Sequence, residues 1–268
     1  MREVYQKAKE YILNNGTDLQ KACCNYVTGQ EDKEKIAIEL GKYQNDDGGW
    51  ANGLEIEYQG PVSTPFSTSV VLGHIVRFKL ENSELLKKTL DYLKNTQRED
   101  GKWEDVEEMT QYPHPPYMGP GIYPEFKTGM VLKWLLRLKS ADKEMIEKAQ
   151  AYMINHFEEI SQRNDFWSAV AYTNVFSHMP HLPESAKIME WGLKILAPKE
   201  EQFVWGQVMG MIEDDMPIPD QFQSDALALI KQCQEQDGGW PHQFGEYNRI
   251  WSAIFIIRFL KAKKLLSI

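Results

Sequence analysis

The heptapeptide Gln44-Asn45-Asp46-Asp47-Gly48-Gly49-Trp50 recurs as Gln97-Arg98-Glu99-Asp100-Gly101-Lys102-Trp103 and as Gln234-Glu235-Gln236-Asp237-Gly238-Gly239-Trp240. All three copies fit the pattern Gln-x-x-Asp-Gly-x-Trp. The first two begin 53 residues apart and the last two 137 apart, a gap that holds three intervals of about 46 residues. Such a period indicates an array of structural repeats. Two degenerate copies are expected in the gap, at Asp165-Phe166-Trp167 and Phe203-Val204-Trp205.

Each clear copy lies between two predicted helices of different character. The helix before the motif has one apolar stripe among many charges, as in residues 34–43 and 84–94. The helix after it is apolar on most faces, as in residues 66–78, 126–138 and 250–260. Pro65 and Pro124 fit the first turn of two of these helices, and Asp165 fits the N-cap of another. We predict a half-solvated outer helix and a buried inner helix in each repeat.

The motif residues suit a clamp between neighbouring helical hairpins. Glycine permits a positive φ and predicts a left-handed cap at the end of the outer helix. The Asp side chain can accept from turn amides, and the Gln amide can cap a carbonyl group of the adjacent repeat. Trp adds a large flat surface with one donor. These structural residues are Gln44, Asp47, Gly48, Trp50, Gln97, Asp100, Gly101, Trp103, Gln234, Asp237, Gly238 and Trp240.

The pattern predicts an all-α fold. Strands alternating with helices are absent from it, which excludes a (β/α)₈ barrel. We expect one α/α toroid domain over residues 1–268, built of about five to six hairpins with inner and outer helix rings. The clear repeats are residues 31–80, 84–139 and 225–265, and the degenerate repeats fill residues 142–215.

Composition excludes several classes of function. The 268 residues carry a net charge of −9, which argues against nucleic-acid binding. No window approaches the roughly 18 apolar residues of a membrane span, and the N-terminus lacks a signal-peptide core. The three cysteines, Cys23, Cys24 and Cys233, are expected to be reduced thiols in a cytoplasmic protein. We expect no metal and no cofactor, and the oligomeric state stays open.

The three motif copies resemble the repeat of the terpenoid-cyclase and protein-prenyltransferase superfamily, over about residues 31–265. Residues 43–55, Ser63-Thr64-Pro65 and Tyr112-Pro113-His114-Pro115-Pro116 also look like a group of bacterial prenyltransferase-like proteins. The resemblance implies an α/α toroid around a central cavity. The functional residues of that superfamily do not carry over. Glu213-Asp214-Asp215 lacks the spacing of the Asp-x-Asp-Asp acid, and Cys233 lacks the Asp that would complete a zinc site.

A functional site is expected where the loops leading into the inner helices share one end of the ring, at residues 51–64, 104–123 and 241–246. The middle loop is long enough to form a lid or a wall. Glu55 and His114 are the candidate acid–base pair, since a carboxylate and an imidazole can exchange a proton near neutral pH. The residues expected to bind a ligand are Glu57, Tyr58, Tyr117, Tyr123, Glu125, Trp205, His242, Tyr247, Arg249 and Trp251.

Three functions fit this sequence. The first is binding or transformation of a small apolar or isoprenoid ligand in an aromatic cavity, where aromatic faces can stabilise cations. The second is carbohydrate chemistry by a hydrolase or lyase that uses the loop carboxylates. The third is a protein-interaction module without catalysis. Whether the protein is an enzyme stays open.

Overall fold

The computed structural model describes residues 1–54, 56–196, 220–242 and 245–266, with the backbone alone for 220–225. This part of the chain contains eleven α-helices, one short 3₁₀ helix at Glu107–Gln111 and no strand. The α-helices are α1 (Arg2–Asn15), α2 (Asp18–Thr28), α3 (Lys33–Gly41), α4 (Pro65–Arg77), α5 (Glu84–Thr96), α6 (Pro124–Leu135), α7 (Lys143–Arg163), α8 (Phe166–Phe176), α9 (Ser185–Leu196), α10 (Asp220–Gln232) and α11 (Glu246–Ala262). The all-α prediction is confirmed.

The chain divides into two compact units. Unit 1 comprises Met1–Leu40 and Pro198–Ile268, and unit 2 comprises Gly41–Ala197. In unit 2, α4 packs on α6 and α6 packs on α8. Helix α5 packs against α4, and α7 packs against α6. In unit 1, α11 packs on α1 and α2, which also pack on each other. The α1–α2 hairpin precedes the first repeat predicted from the sequence.

The burial of the helices in unit 2 follows the predicted outer and inner types. Helices α4, α6 and α8 are buried on most faces, whereas α5 and α7 bury one stripe each. Pro65 and Pro124 occupy first turns, and the side chain of Asp165 accepts from the Ser168 amide at 2.8 Å. A proline in the first turn loses no helical hydrogen bond, and the Asp side chain satisfies a free amide.

The Gln-x-x-Asp-Gly-x-Trp motif forms the same tight turn at its three places. The Asp side chain accepts from the amide two residues later, at 2.8 Å for Asp47, 3.2 Å for Asp100 and 2.9 Å for Asp237. The glycine that follows has a φ of +86°, +96° and +95° in the three copies, which favours glycine. The Trp side chains are fully buried. Trp103 and Trp240 each donate to a backbone carbonyl ten residues earlier, and Trp50 donates to the Thr89 hydroxyl.

Each of the three motif turns packs against one outer helix, and its contacts fall at the same relative positions of that helix. The Gln side chain donates to a carbonyl in the first turn of that helix: Gln44 to Leu85 at 3.1 Å, Gln97 to Met145 at 2.9 Å and Gln234 to Val4 at 2.9 Å. Three residues further on, the carbonyls of Lys88, Lys148 and Lys7 lie against the motif glycine. A tyrosine follows four residues later in each case, as Tyr92, Tyr152 and Tyr11. Residues of the outer helix therefore form this contact together with the motif residues.

Two details differ from the sequence predictions. The motif glycines do not cap the outer helices: α5 ends in an extended Gln97, and Gly101 lies in the turn beyond it. The connection between α7 and α8 is only Asn164-Asp165, which leaves no room for a motif turn, and Trp167 lies in the first turn of α8. Phe203-Val204-Trp205 lies outside the described residues. None of the described helices has the length and apolarity needed to cross a bilayer.

Candidate functional site

An aromatic cluster lies where the first turns of α4, α6 and α8 meet in unit 2. Phe66, Phe126 and Trp167 each occupy the first turn of one of these helices. The ring centres of Phe66 and Phe126 are 5.7 Å apart, and those of Phe126 and Trp167 are 5.3 Å apart. Tyr117, from the loop that precedes α6, contacts Trp167 at 5.2 Å and Phe66 edge-on at 6.1 Å. We call Phe66, Tyr117, Phe126 and Trp167 the aromatic cluster.

The rings of the cluster contact one another at different angles, from tilted to edge-on. Ring pairs at such separations stabilise each other by about 0.5–1.5 kcal/mol beyond simple burial. Phe126 is buried, whereas Phe66, Tyr117 and Trp167 are partly exposed. Phe166 packs edge-on against Trp167 at 5.4 Å and remains 42% exposed. Part of the aromatic cluster is therefore exposed to solvent.

A buried ion pair fixes the loop that carries Tyr117. Asp105, in that loop, and Lys127, on α6, are each 1% exposed, and Lys127 Nζ lies 2.9 Å from Asp105 Oδ2. Lys127 also donates to the carbonyls of Gly119, at 3.1 Å, and of Ile122. The Gly119 amide donates to Asp105 Oδ2 at 2.8 Å. These contacts hold the loop in place against the start of α6.

Sequence reasoning missed this pair. A signal was available, because Lys127 lies on an inner helix that is apolar on most faces and lysine is almost never fully buried without a partner. Asp105 carried no comparable signal, since the long loop contains several other carboxylates.

A second apolar layer adjoins the aromatic cluster. Tyr58, Ala51, Met109 and Met118 form a buried group, against which Phe66, Tyr117, Tyr112 and Val62 pack. Tyr58 is fully buried, and among the described residues its hydroxyl proton has no acceptor. Burial raises the pKa of the Tyr58 hydroxyl above its usual value, and this effect exceeds the opposing effect of a hydrogen bond from the Val62 backbone. The predicted ligand residues Tyr58 and Tyr117 thus lie close together.

The acid–base pair predicted at Glu55 and His114 stays a prediction. Glu55 lies outside the described residues, and His114 is exposed in the loop. Glu57 is half-buried, and desolvation raises the pKa of its carboxyl group. Tyr123 precedes α6 in a left-handed conformation, with a φ of +44°.

Glu125 has structural partners. It is 1% exposed, accepts a hydrogen bond from the Ser168 hydroxyl at 3.0 Å, and lies 3.5 Å from Arg163 Nη1. These contacts join the start of α6 to α8 and to the end of α7. As a carboxylate in the first turn of α6, Glu125 also complements the helix dipole.

In unit 1, Arg249 makes a network of structural contacts. It pairs with Glu235, Asp237 and Glu246 and donates to the Trp240 carbonyl at 3.1 Å. Its guanidinium group also lies 5.1 Å from the ring centre of Tyr11. These contacts hold the third motif turn between α1 and α11. These contacts give Arg249 a structural role, and its ligand-binding role stays a prediction.

The other predicted ligand residues of unit 1 lie near the start of α11. His242 is half-buried, and desolvation lowers its pKa. The Tyr247 carbonyl accepts from Gln20 at 3.0 Å, and its ring meets Trp251 edge-on at 6.4 Å. Trp251 is 6% exposed and stacks on Phe255 at 5.6 Å. Trp205 lies outside the described residues.

Cations gather around Trp134 near the C-terminal ends of α4 and α6. Arg77, Lys133 and Arg137 place their charged groups 4.5, 5.0 and 5.1 Å from the Trp134 ring centre. His74 is buried nearby, and desolvation together with the Arg77 charge lowers its pKa to about 3. Cation–π attraction and the helix dipole both favour positive charge at these positions. No sequence pattern pointed to this group.

The two groups in unit 2 differ in chemistry. The aromatic cluster offers apolar faces at the helix N-termini, and the cations lie near the C-termini of α4 and α6. Among the described residues, no three His, Cys, Asp or Glu side chains are placed to hold a metal ion together. No protein-family model matches this chain, and no curated protein matches it.

Proposed function

We propose that the protein is an α/α toroid, similar to terpenoid cyclases and prenyltransferases, that binds or transforms a small apolar or isoprenoid ligand. The main support for the proposal is the aromatic cluster, together with the loop that carries Tyr117 and is held in place by the Asp105–Lys127 ion pair. Aliphatic and isoprenoid chains bury apolar surface well against aromatic faces, and this burial is the main source of affinity in such sites.

The register of the motif turns supports the closed ring. Two turns each clamp the outer helix that comes next in the sequence: Gln44 reaches α5, and Gln97 reaches α7. The third turn follows α10, and Gln234 reaches α1. If the same rule applies throughout, α1 is the successor of α10, and the series of outer helices returns to its start.

Binding has more support than a particular reaction. The Asp-x-Asp-Asp acid and the zinc ligands of the similar enzymes are missing from the sequence. Glu125, in the first turn of α6, already contacts Ser168 and Arg163, so it does not support sugar hydrolysis.

A calorimetric titration of the protein with farnesol and with a trisaccharide tests this function. We expect the isoprenoid to bind and the trisaccharide to give no heat. Trp167→Ala should weaken farnesol binding at least about tenfold, because it removes much of the aromatic cluster. Trp191→Ala, on α9, is the matched control and should leave affinity unchanged. Farnesol affinity that is equal in wild type and Trp167→Ala, or binding of the sugar alone, would overturn the proposal.

A further inference from the structure

The two carboxylate oxygens of Asp105 are in different situations. Oδ2 accepts from Lys127 Nζ and from the Gly119 amide. Oδ1 is equally buried but accepts no hydrogen bond from the part of the chain that the structure describes. A buried carboxylate oxygen without a donor is costly, so such atoms in native proteins call for an explanation.

Lys127 cannot satisfy the second oxygen by a small movement. An ammonium group has three N–H donors, and those of Lys127 already face three acceptors: Asp105 Oδ2, the Gly119 carbonyl and the Ile122 carbonyl. The pair is therefore built to hold Asp105 in one orientation. That orientation leaves Oδ1 ready to receive a donor from elsewhere.

A second buried polar group, with an unused donor, belongs to the same region. The hydroxyl of Tyr58 donates its proton to no acceptor among the described residues, although the side chain is fully buried. Tyr58 packs in one group with Met118, whose neighbour Gly119 binds Asp105. This group adjoins Phe66 and Tyr117 of the aromatic cluster. A carboxylate oxygen without a donor and a phenol proton without an acceptor thus lie buried near the aromatic cluster.

We propose that Asp105 Oδ1 and the Tyr58 hydroxyl anchor an alcohol group carried by a largely apolar ligand. An alcohol donates its proton to the carboxylate oxygen and accepts one from the phenol, so it satisfies both atoms together. The apolar remainder of the ligand lies against the aromatic cluster. This inference rests on the proposed function and narrows its ligand class to apolar alcohols.

Two probes of almost the same shape separate this anchor from simple apolar binding. Farnesol has a hydroxyl, whereas farnesyl methyl ether can accept but not donate a hydrogen bond. Wild type should bind farnesol at least about tenfold more tightly than the ether, the value of one hydrogen bond to a charged acceptor. Affinities are measured by calorimetry on the full chain.

Asp105→Asn should abolish this preference. The amide oxygen of the new side chain must face the two donors, Lys127 and the Gly119 amide, so its NH₂ replaces the acceptor Oδ1. Alcohol and ether can both accept from that NH₂, and their affinities should come within about twofold. Asp91→Asn, an exposed change on α5, should keep the wild-type preference. Tyr58→Phe keeps the apolar ring and should lower farnesol affinity, which provides a test if Asp105→Asn fails to fold.

The outcomes distinguish the two proposals. Equal affinity of wild type for farnesol and its ether would overturn the alcohol anchor while leaving an apolar site in place, with a buried water satisfying Asp105. An unchanged preference in Asp105→Asn and unchanged farnesol affinity in Tyr58→Phe would also overturn it. If neither probe binds to wild type, the proposed function fails together with the anchor.

Discussion

Replacing Gly238 with alanine tests whether the third motif turn clamps α1. Gly238 has a φ of +95°, and an added Cβ would lie 2.3 Å from the Lys7 carbonyl oxygen. Gly29, in the same unit, is the matched control, because its φ is +77° and an added Cβ would meet no atom within 4 Å. The control substitution therefore introduces the backbone strain without the collision.

The expected magnitudes follow from these two environments. Left-handed backbone costs a non-glycine residue about 1–2 kcal/mol, and Gly29→Ala should show about 1 kcal/mol of that. Gly238→Ala adds a backbone collision that must move the turn away from α1. This movement breaks the Gln234–Val4 hydrogen bond and the packing of Gly239 on Tyr11. The total loss in the free energy of unfolding should be about 3 kcal/mol.

Urea denaturation followed by circular dichroism measures both losses, and Gln234→Ala completes a double-mutant cycle. Alone, Gln234→Ala should cost about 1–2 kcal/mol, since its amide donates to the carbonyls of Val4 and Gly238. In the Gly238→Ala background it should cost much less, because the bond to Val4 is already broken. A loss in Gly238→Ala no larger than in Gly29→Ala, or a fully additive cycle, would refute the clamp.

Three further predictions concern buried or paired charges. Lys127→Met leaves the Asp105 charge buried and should lower the free energy of unfolding, measured by urea denaturation, by about 3–5 kcal/mol. Adding Asp105→Asn should restore part of this loss. Fully additive losses in the double variant would contradict the pairing. His74 has its native pKa lowered to about 3 from 6.5, so the unfolded state takes up the proton first and stability falls as pH decreases from about 6.5 towards 3. Wild type should therefore lose about 1.4 kcal/mol between pH 7.5 and 5.5 relative to His74→Gln, and parallel pH profiles would disprove neutral burial. Arg249→Met should lower the free energy of unfolding by about 1–3 kcal/mol, because three carboxylates and the Trp240 carbonyl lose a donor. The loss should be smaller in 1 M salt, which screens the ion pairs. A loss that does not depend on salt would indicate that Arg249 acts through packing instead.

The sequence predicted the features that depend on local chemistry. Thr64-Pro65 and Asp165 marked helix starts because a cap and a missing amide act within one turn. Gln97 and Asp100 were assigned hydrogen bonds to carbonyl and amide groups, and the structure contains such bonds. The closed ring stays a prediction.

The features that were missed depend on residues distant in sequence. Lys127 signalled a buried charge, but nothing near it indicated that Asp105 would be the partner. The stacking of Arg249 on the ring of Tyr11, on α1, was not predicted either, because the two residues are far apart in sequence. The tyrosine at the same register in α1, α5 and α7 was visible in the sequence. Its meaning became clear only when the motif turns were seen against these helices.

The contact between Gln234 and Val4 joins residues 230 positions apart, and Tyr11 donates to Glu246 across 235 positions. Because the chain is synthesised from the N-terminus, α1 is made first. The third motif turn, which packs against α1, is complete only when residue 240 has left the ribosome. Contacts of such sequence separation slow folding, because the entropy of closing the chain is lost before they form. Until then the face of α1 with Val4, Lys7 and Tyr11 lacks the turn that covers it. We expect this face to recruit chaperones or to mispair during synthesis.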